Sequence, residues 1–546
     1  MKQLHTFLVA LLILATACNS RKPADLLVYN AHVYTIDSAF STAEAIVIQG
    51  GHVVATGTTA GLQARFDPQN TIDAKGKFIY PGFIDAHAHF LEYGKSLYAV
   101  NLYGANSFEE VTARVKAFAA AHPGETWITG NGWDQNRWPG KAFPDNKVLN
   151  DLFPDKPVVL SRVDGHAVLA NAKALELAGI KAGDKIEGGS IETSNGVLTG
   201  VLVDNAAHRM EAVEPAANKA LLEKWLGAAQ TNCFAQGLTM ITDCGLEVDA
   251  INMMDALQQE GKLKMRLYVM MSDDSANYAY YLHRGPYKTD RLYVHGVKVY
   301  ADGALGSRGA CLLRPYSDKP GWNGFLLSSP AHFDSIANML STTEFQMCTH
   351  AIGDSGNRTI LNIYNKYLSG KNDKRWRIEH AQVVDPQDFA LFGQASIIPS
   401  VQPTHATSDM RWAGERLGEE RLKGAYAYQQ LLKQNGWLPL GTDFPVEDIS
   451  PFKTFLAAVF RQDTSGYPAG GFQMENALTR EQALRGMTIW AAKADFLETE
   501  VGSLEPGKKA DFIILDQDLM KVDAKQVLQT KVLATFIGGE KVFDKE

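Results

Sequence analysis

Cysteine is scarce in this chain, five in 546 residues, and no two are spaced as C-x-x-C. That excludes a cysteine framework of the kind that staples small secreted domains. Cys233, Cys244, Cys311 and Cys348 each sit in or beside an apolar run and read as small buried residues, so no essential disulfide is expected. No basic run or basic–aromatic stripe is present, the net charge is −8 and the pI is about 6.0, so no nucleic-acid partner is expected. Gly303, Gly306 and Gly309 punctuate one loop, but they form neither a dinucleotide fingerprint nor a P-loop. Repeats and low-complexity tracts are also missing.

What is there reads as globular: 45% apolar and 21% charged residues, in a chain long enough for two or more domains. Lys2 precedes the apolar run 6–17, which is too short to cross a bilayer as a helix and fits a signal peptide over residues 1–17. Ala15-Thr16-Ala17-Cys18 resembles a bacterial lipobox. Cys18 is therefore the expected lipidation site, with residues 18–24 as a polar tether and the protein exported, anchored and facing the periplasm. Membrane contact is expected through that anchor alone.

Residues 25–80 read as short strands (26–29, 32–35, 45–49, 52–56 and 71–73), with Gly50-Gly51 as a hairpin turn. From Pro81 apolar strands alternate with amphipathic helical stretches, the pattern of a parallel sheet. The expected strands are 83–87, 238–242, 265–270, 294–300, 346–350, 376–380, 396–401 and 438–442, the eight needed to close a (β/α)₈ TIM barrel. About 150 residues separate the first two, too many for one loop, so an inserted α/β subdomain is expected over roughly 95–215. It holds further strand-like runs at 126–130, 158–162 and 197–203. A helix is expected over 479–494, capped by Thr479. Strands at 510–515 and 532–537 then join the first ones. The expected architecture is an α/β barrel over 81–499 beside a β-sandwich built from 25–80 and 500–546.

The chemistry gathers at strand ends. The stretch 78–90, FIYPGFIDAHAHF, closes a buried-looking strand with His87 and His89 two residues apart, on one face. Imidazole is a common metal ligand. Later strands end at or carry Lys298, His350, His380 and Asp443. In a barrel these ends converge on one cavity.

Together with GWDQNRWP, RVDGHAVLAN, QPTHATSD and GSLEPGKKADFIILD, these motifs resemble the amidohydrolase superfamily of metal-dependent hydrolases, in the branch of the N-substituted formamide deformylases. The resemblance runs from about Ala24 to the C-terminus. It implies that His87 and His89 bind the more buried metal and that His350 and His380 bind a second. It further implies that a carbamylated Lys298 bridges the two, and that Asp443 binds the first metal and handles the proton. Zinc suits a mixed nitrogen and oxygen shell, as one ion or two, and iron or manganese suit it as well.

Several residues carry two readings. Lys298 is either the carbamylated bridge or an ammonium paired with Asp302 or another carboxylate. With one metal, His380 would bond the catalytic water. His166 is either a catalytic donor to the substrate carbonyl or a structural residue bonded to Asp164 or backbone. Trp133, Asp134 and Trp138 line the pocket or pack inside the insertion. Gln402 and His405 are candidate substrate contacts, and Arg308 pairs either a substrate carboxylate or a neighbouring acid. Asp243 is a supporting residue, and residues 411–428 are a candidate lid. The expected activity is hydrolysis of a non-peptide amide bond in a small molecule. Its rivals are a deaminase or cyclic-amide hydrolase on the same site, and a solute-binding scaffold that lost the chemistry. Similar enzymes are often homodimers.

Overall fold

The computed structural model describes residues 21–545. Cys18, the expected lipidation site, and residues 1–17, the expected signal peptide, lie outside them. Lys22–Tyr29 is already a strand, paired in parallel with Phe66–Asp73 from Lys22 onward, so residues 22–24 belong to a sheet rather than to a tether.

Seven parallel strands form the central barrel: β1 (Phe83–Ala88), β2 (Leu238–Leu246), β3 (Arg266–Ser272), β4 (Leu292–Tyr300), β5 (Gln346–Ala351), β6 (Arg377–His380) and β7 (Ile398–Ser400). Burial on both faces explains their near-continuous apolar sequences. The eighth expected strand, 438–442, lies between β7 and β1 but forms a single parallel bridge, Val401 with Leu440. The reason is local. Two carbonyls at the end of the helix Arg480–Gly486 take bonds that a full ladder would use: Gly486 accepts from Leu440 N (3.0 Å) and Met487 from Ile84 N (2.8 Å). The expected 479–494 helix is broken in two at Met487-Thr488, where Thr488 has φ −140° and ψ −97°, and the second half runs Ile489–Ala494. Its start is as expected, with Thr479 and Gln482 forming a capping box.

Asp85 completes the closure. Its carboxylate accepts from Thr442 N (2.9 Å), Thr442 Oγ1 (2.7 Å) and His87 N (3.2 Å), tying the closing segment to β1.

Between β1 and β2 the chain builds a six-stranded mixed sheet in the order Gly189–Ser194, Val197–Asp204, Ala167–Ala170, Val158–Arg162, Ile128–Trp133 and Val100–Asn101. Two further sheets carry the chain ends. His52–Gly57, Ala45–Gln49, Lys22–Tyr29 and Phe66–Asp73 form one. Strands Phe512–Leu515, Val532–Ile537 and Glu540–Asp544 from the C-terminal end join Phe78–Pro81 and His32–Tyr34 in the other. Leu26, Val28, Ile46 and Ile48 pack in one core with Ile79, Phe512, Ile514 and Phe536. The Gly50-Gly51 turn has φ of +58° and +76°, the left-handed pair that a two-residue hairpin of this twist requires.

Candidate metal centre and active site

A cavity of about 1180 Å³ opens over the C-terminal ends of the barrel strands, between the barrel and the inserted sheet. His89, Lys298, His350, His380 and Asp443 line it, and His87 lies fully buried just beneath. Ring centroids are 4.7 Å apart for His87 and His380, 4.6 Å for His350 and His380, and 5.7 Å for His87 and His89. Four strand ends and one closing segment thus bring all six residues into one cluster.

Each of three rings is turned by a bond at Nδ1. His87 Nδ1 lies 2.6 Å from Glu379 Oε2, His89 Nδ1 donates to the Cys244 carbonyl (3.1 Å), and His380 Nδ1 donates to Gln402 Oε1 (2.7 Å). That leaves the Nε2 atoms facing inward, as outer partners of metal-ligating histidines do. Asp443 Oδ1 sits 3.2 Å from His89 Nε2 and 3.6 Å from His87 Nε2. It is buried and has no hydrogen-bond partner, as is true of His350 Nε2. Buried polar atoms left unpaired are costly, and a cation would satisfy them. His87, His89 and Asp443 present their ligand atoms within 4.8 Å of one another, and so do His380, His405 and Asp443. The residues present fit a metal ion.

Electrostatics agree. Burial, reinforced by the Lys298 charge, pushes His87 down to about 4, so its ring is neutral and keeps a lone pair. Burial holds His350 and His380 well below the usual histidine range. Burial opposes the charge of Asp443, but the imidazoles of His405, His89, His380 and His87 outweigh it and hold its carboxyl well below the ordinary carboxylate range. Asp443 and His380 both have left-handed backbone, φ +65° and +73°. Such strain in non-glycine residues concentrates at functional sites. At His380 it also breaks the two-residue strand period, so that Glu379 and His380 both turn toward His87.

Lys298 is buried, with Nζ 3.0 Å from His87 Nε2. The alternative pairing with Asp302 is not formed. Asp302 instead accepts three backbone N–H groups, from Cys311, Ile352 and Gly353, at 2.8–2.9 Å.

The remaining candidates divide. His166 lines the cavity with its ring 5.0 Å from that of His350. Its backbone N–H donates to Asp164, but its imidazole Nδ1 meets Asp204 Oδ1 at 2.6 Å, a partner outside both sequence readings. Burial works against a charged His166, but Asp204, helped by Asp164 and Asp302, raises its pKa. Asp134 also lines the cavity, held by Arg162 Nη2 at 2.7 Å. His405 bridges Asp443 Oδ2 and Glu447 Oε1, each at 3.2 Å. Arg411 and Trp412 line the mouth.

Four expected substrate contacts do not reach the cavity. Trp133 donates from Nε1 to Leu160 O (2.7 Å) and Trp138 to Ala105 O (3.0 Å), both inside the insertion core. Gln402 is buried behind His380, which it orients. Arg308 pairs with Asp318 at 2.8 Å, away from the metal cluster. Residues that the sequence reading missed include Glu379, Asp204, Asp85, Glu447 and Arg162. Glu379 was the most accessible of these, since it directly precedes His380. Asp243 supports the site by accepting from Phe90 N at 2.8 Å.

A nearly closed parallel barrel whose strand ends aim histidines and an aspartate at one buried gap defines a metal-dependent hydrolase. The chain belongs to the amidohydrolase family, hydrolases of carbon–nitrogen bonds, whose profile matches residues 70–543. It is 33% identical to Protein LONG AFTER FAR-RED 3 of Arabidopsis thaliana over 95% of this chain and 92% of that protein. It is 25% identical to N-substituted formamide deformylase of Arthrobacter pascens, over 94% and 97%. A crystal structure of an uncharacterized metal-dependent hydrolase from Pyrococcus horikoshii superposes with a TM-score of 0.75 at 29% identity, covering 91% of this chain and 99% of that one.

Proposed function

We propose that the protein hydrolyses an amide-type, non-peptide carbon–nitrogen bond of a small molecule. The observation that carries this is the buried, unpartnered Asp443 Oδ1 among inward-facing imidazole nitrogens at the floor of a large cavity. His87, His89 and Asp443 would hold a first zinc, and His350 and His380 a second, with Lys298 joining as a carbamate if two ions are present. When bound, the ion lowers the pKa of a coordinated water from 15.7 toward ~7.

The chain's own groups do the rest. Asp443 accepts the proton of the attacking water and delivers it to the departing nitrogen. Its low pKa keeps it a base until charge develops during attack. His405, against Oδ2, holds that carboxylate in place. His166 donates a hydrogen bond to the carbonyl oxygen as it becomes anionic. Arg162, Asp134 and Asp164 form a linked wall opposite the barrel mouth.

The full-length likeness to a formamide deformylase supports starting with N-formyl compounds. The test is a screen of protein reconstituted with zinc and bicarbonate against N-formyl compounds, N-acyl amines, N-acyl amino acids and cyclic amides. Amine or carboxylate release that disappears in Asp443→Asn supports the reading. Release of ammonia alone would move it to a deaminase. Lipid anchoring at Cys18 is a separate proposal from sequence, checked by the loss of fatty-acid labelling in Cys18→Ser.

A further inference from the structure

Asp204 is a costly residue to keep. It is the last residue of the strand Val197–Asp204, has φ +54°, and is buried. One carboxylate oxygen, Oδ2, is sequestered without any hydrogen-bond partner. The other meets His166 Nδ1 at 2.6 Å, while the backbone N–H of Asp204 donates to the His166 carbonyl at 2.8 Å. The two residues are thus locked twice, through main chain and side chain. The loop after β4 leaves space for this carboxylate only because it lacks side chains there. A Cβ on Gly303 or on Gly309 would collide with Asp204. A residue kept only for stability would satisfy both oxygens and would not need a strained backbone.

We propose that Asp204 is a positioning residue: it fixes the His166 imidazole with Nδ1 turned into the protein, so that Nε2 is the atom presented to the substrate carbonyl oxygen. This rests on the amide-hydrolase reading above. The imidazole comes from the inserted sheet, whereas the other histidines come from the barrel. The pair therefore makes the insertion part of the reaction machinery and not a covering for it. The Asp204 carboxylate accepts the Nδ1 proton at 2.6 Å, so Nε2 has a proton to donate when the ring is the imidazolium, carrying both protons, and the ring orientation decides whether that donor reaches the oxyanion.

The experiment uses the metal-loaded full chain in four forms: wild type, Asp204→Asn, His166→Ala and the double variant. Metal content and thermal unfolding confirm that each is folded and loaded. On any amide that wild type cleaves, Asp204→Asn is expected to lower kcat by about 10²-fold, the scale of one lost oxyanion donor, with KM little changed. The double variant is expected to be no slower than His166→Ala. A wild-type kcat in Asp204→Asn, or multiplicative losses in the double variant, would overturn the proposal. Nitrogen-15 spectra of histidine-labelled protein judge the pair without a substrate. A hydrogen-bonded Nδ1 proton absent from His166→Ala and shifted in Asp204→Asn supports it, and absence of that signal in wild type overturns it. If instead no carbon–nitrogen bond is cleaved while the nitrogen-15 signature is present, the amide-hydrolase reading fails and the positioning of His166 by Asp204 stands.

Discussion

His87 Nδ1 and Glu379 Oε2 are 2.6 Å apart, on β1 and β6, with neither side chain exposed to solvent. The glutamate holds the ring so that Nε2 faces Asp443 and Lys298. Glu379→Ala is expected to weaken metal binding by about 10- to 100-fold, the usual effect of removing an outer partner of a ligating histidine. Competition titration against a chelating dye checks this. Unchanged affinity would mean that the ring is held by packing alone.

Metal removal is expected to abolish turnover and to lower the unfolding temperature, because an ion that binds only the folded state stabilises it by mass action. Differential scanning of apo protein against zinc-reloaded protein measures the shift. Equal melting temperatures would count against a site built from His87, His89 and Asp443.

Asp85→Ala should act on stability first. It strands the buried donors Thr442 N and Oγ1 and loosens the segment that closes the barrel. Each unsatisfied buried donor costs about 1–3 kcal/mol. A clear drop in denaturant midpoint is expected, with loss of activity beyond it, since Thr442 immediately precedes Asp443.

Arg308→Ala is expected to leave KM unchanged for every substrate, because its guanidinium serves Asp318 and not the cavity. An increase in KM confined to carboxylate-bearing substrates would restore Arg308 as a substrate contact.

Asp318 itself gives a pH dependence. Burial raises its pKa, but the Arg308 hydrogen bond and the charges of Arg416 and Arg308 outweigh this and hold it below the usual carboxylate range. The unfolded chain takes up that proton near ~3.9, the folded chain at a lower pH. Between the two values the unfolded state binds more protons, so this contribution is complete above ~4 and is lost as pH falls through the folded value. Asp318→Asn is expected to flatten the decline of melting temperature with acid in that window. An unchanged slope would assign the acid sensitivity elsewhere.

The barrel was legible because a buried parallel strand leaves an unbroken apolar run, and because chemistry-bearing residues follow such runs at His87, Lys298, His350, His380 and Asp443. The segment at 438–442 has the same composition but pairs only partly with its neighbours, since the Gly486 carbonyl takes the Leu440 N–H and the Met487 carbonyl takes that of Ile84 on β1. No local pattern announces that competition. Trp133 and Trp138 failed as pocket residues for a related reason. An aromatic ring packs wherever its insertion core has room, and the facing of that core is set by six strands together.

Local order along the chain therefore determined which residues stand at strand ends, because hydrophobic period and turn chemistry act over a few neighbours. Partnership was decided only by the folded molecule. Glu379 behind His87, Gln402 behind His380 and Asp204 behind His166 are separated in sequence by 292, 22 and 38 positions. A hydrogen bond depends on direction within a few tenths of an ångström, and that is set by how the barrel twists and closes, not by composition.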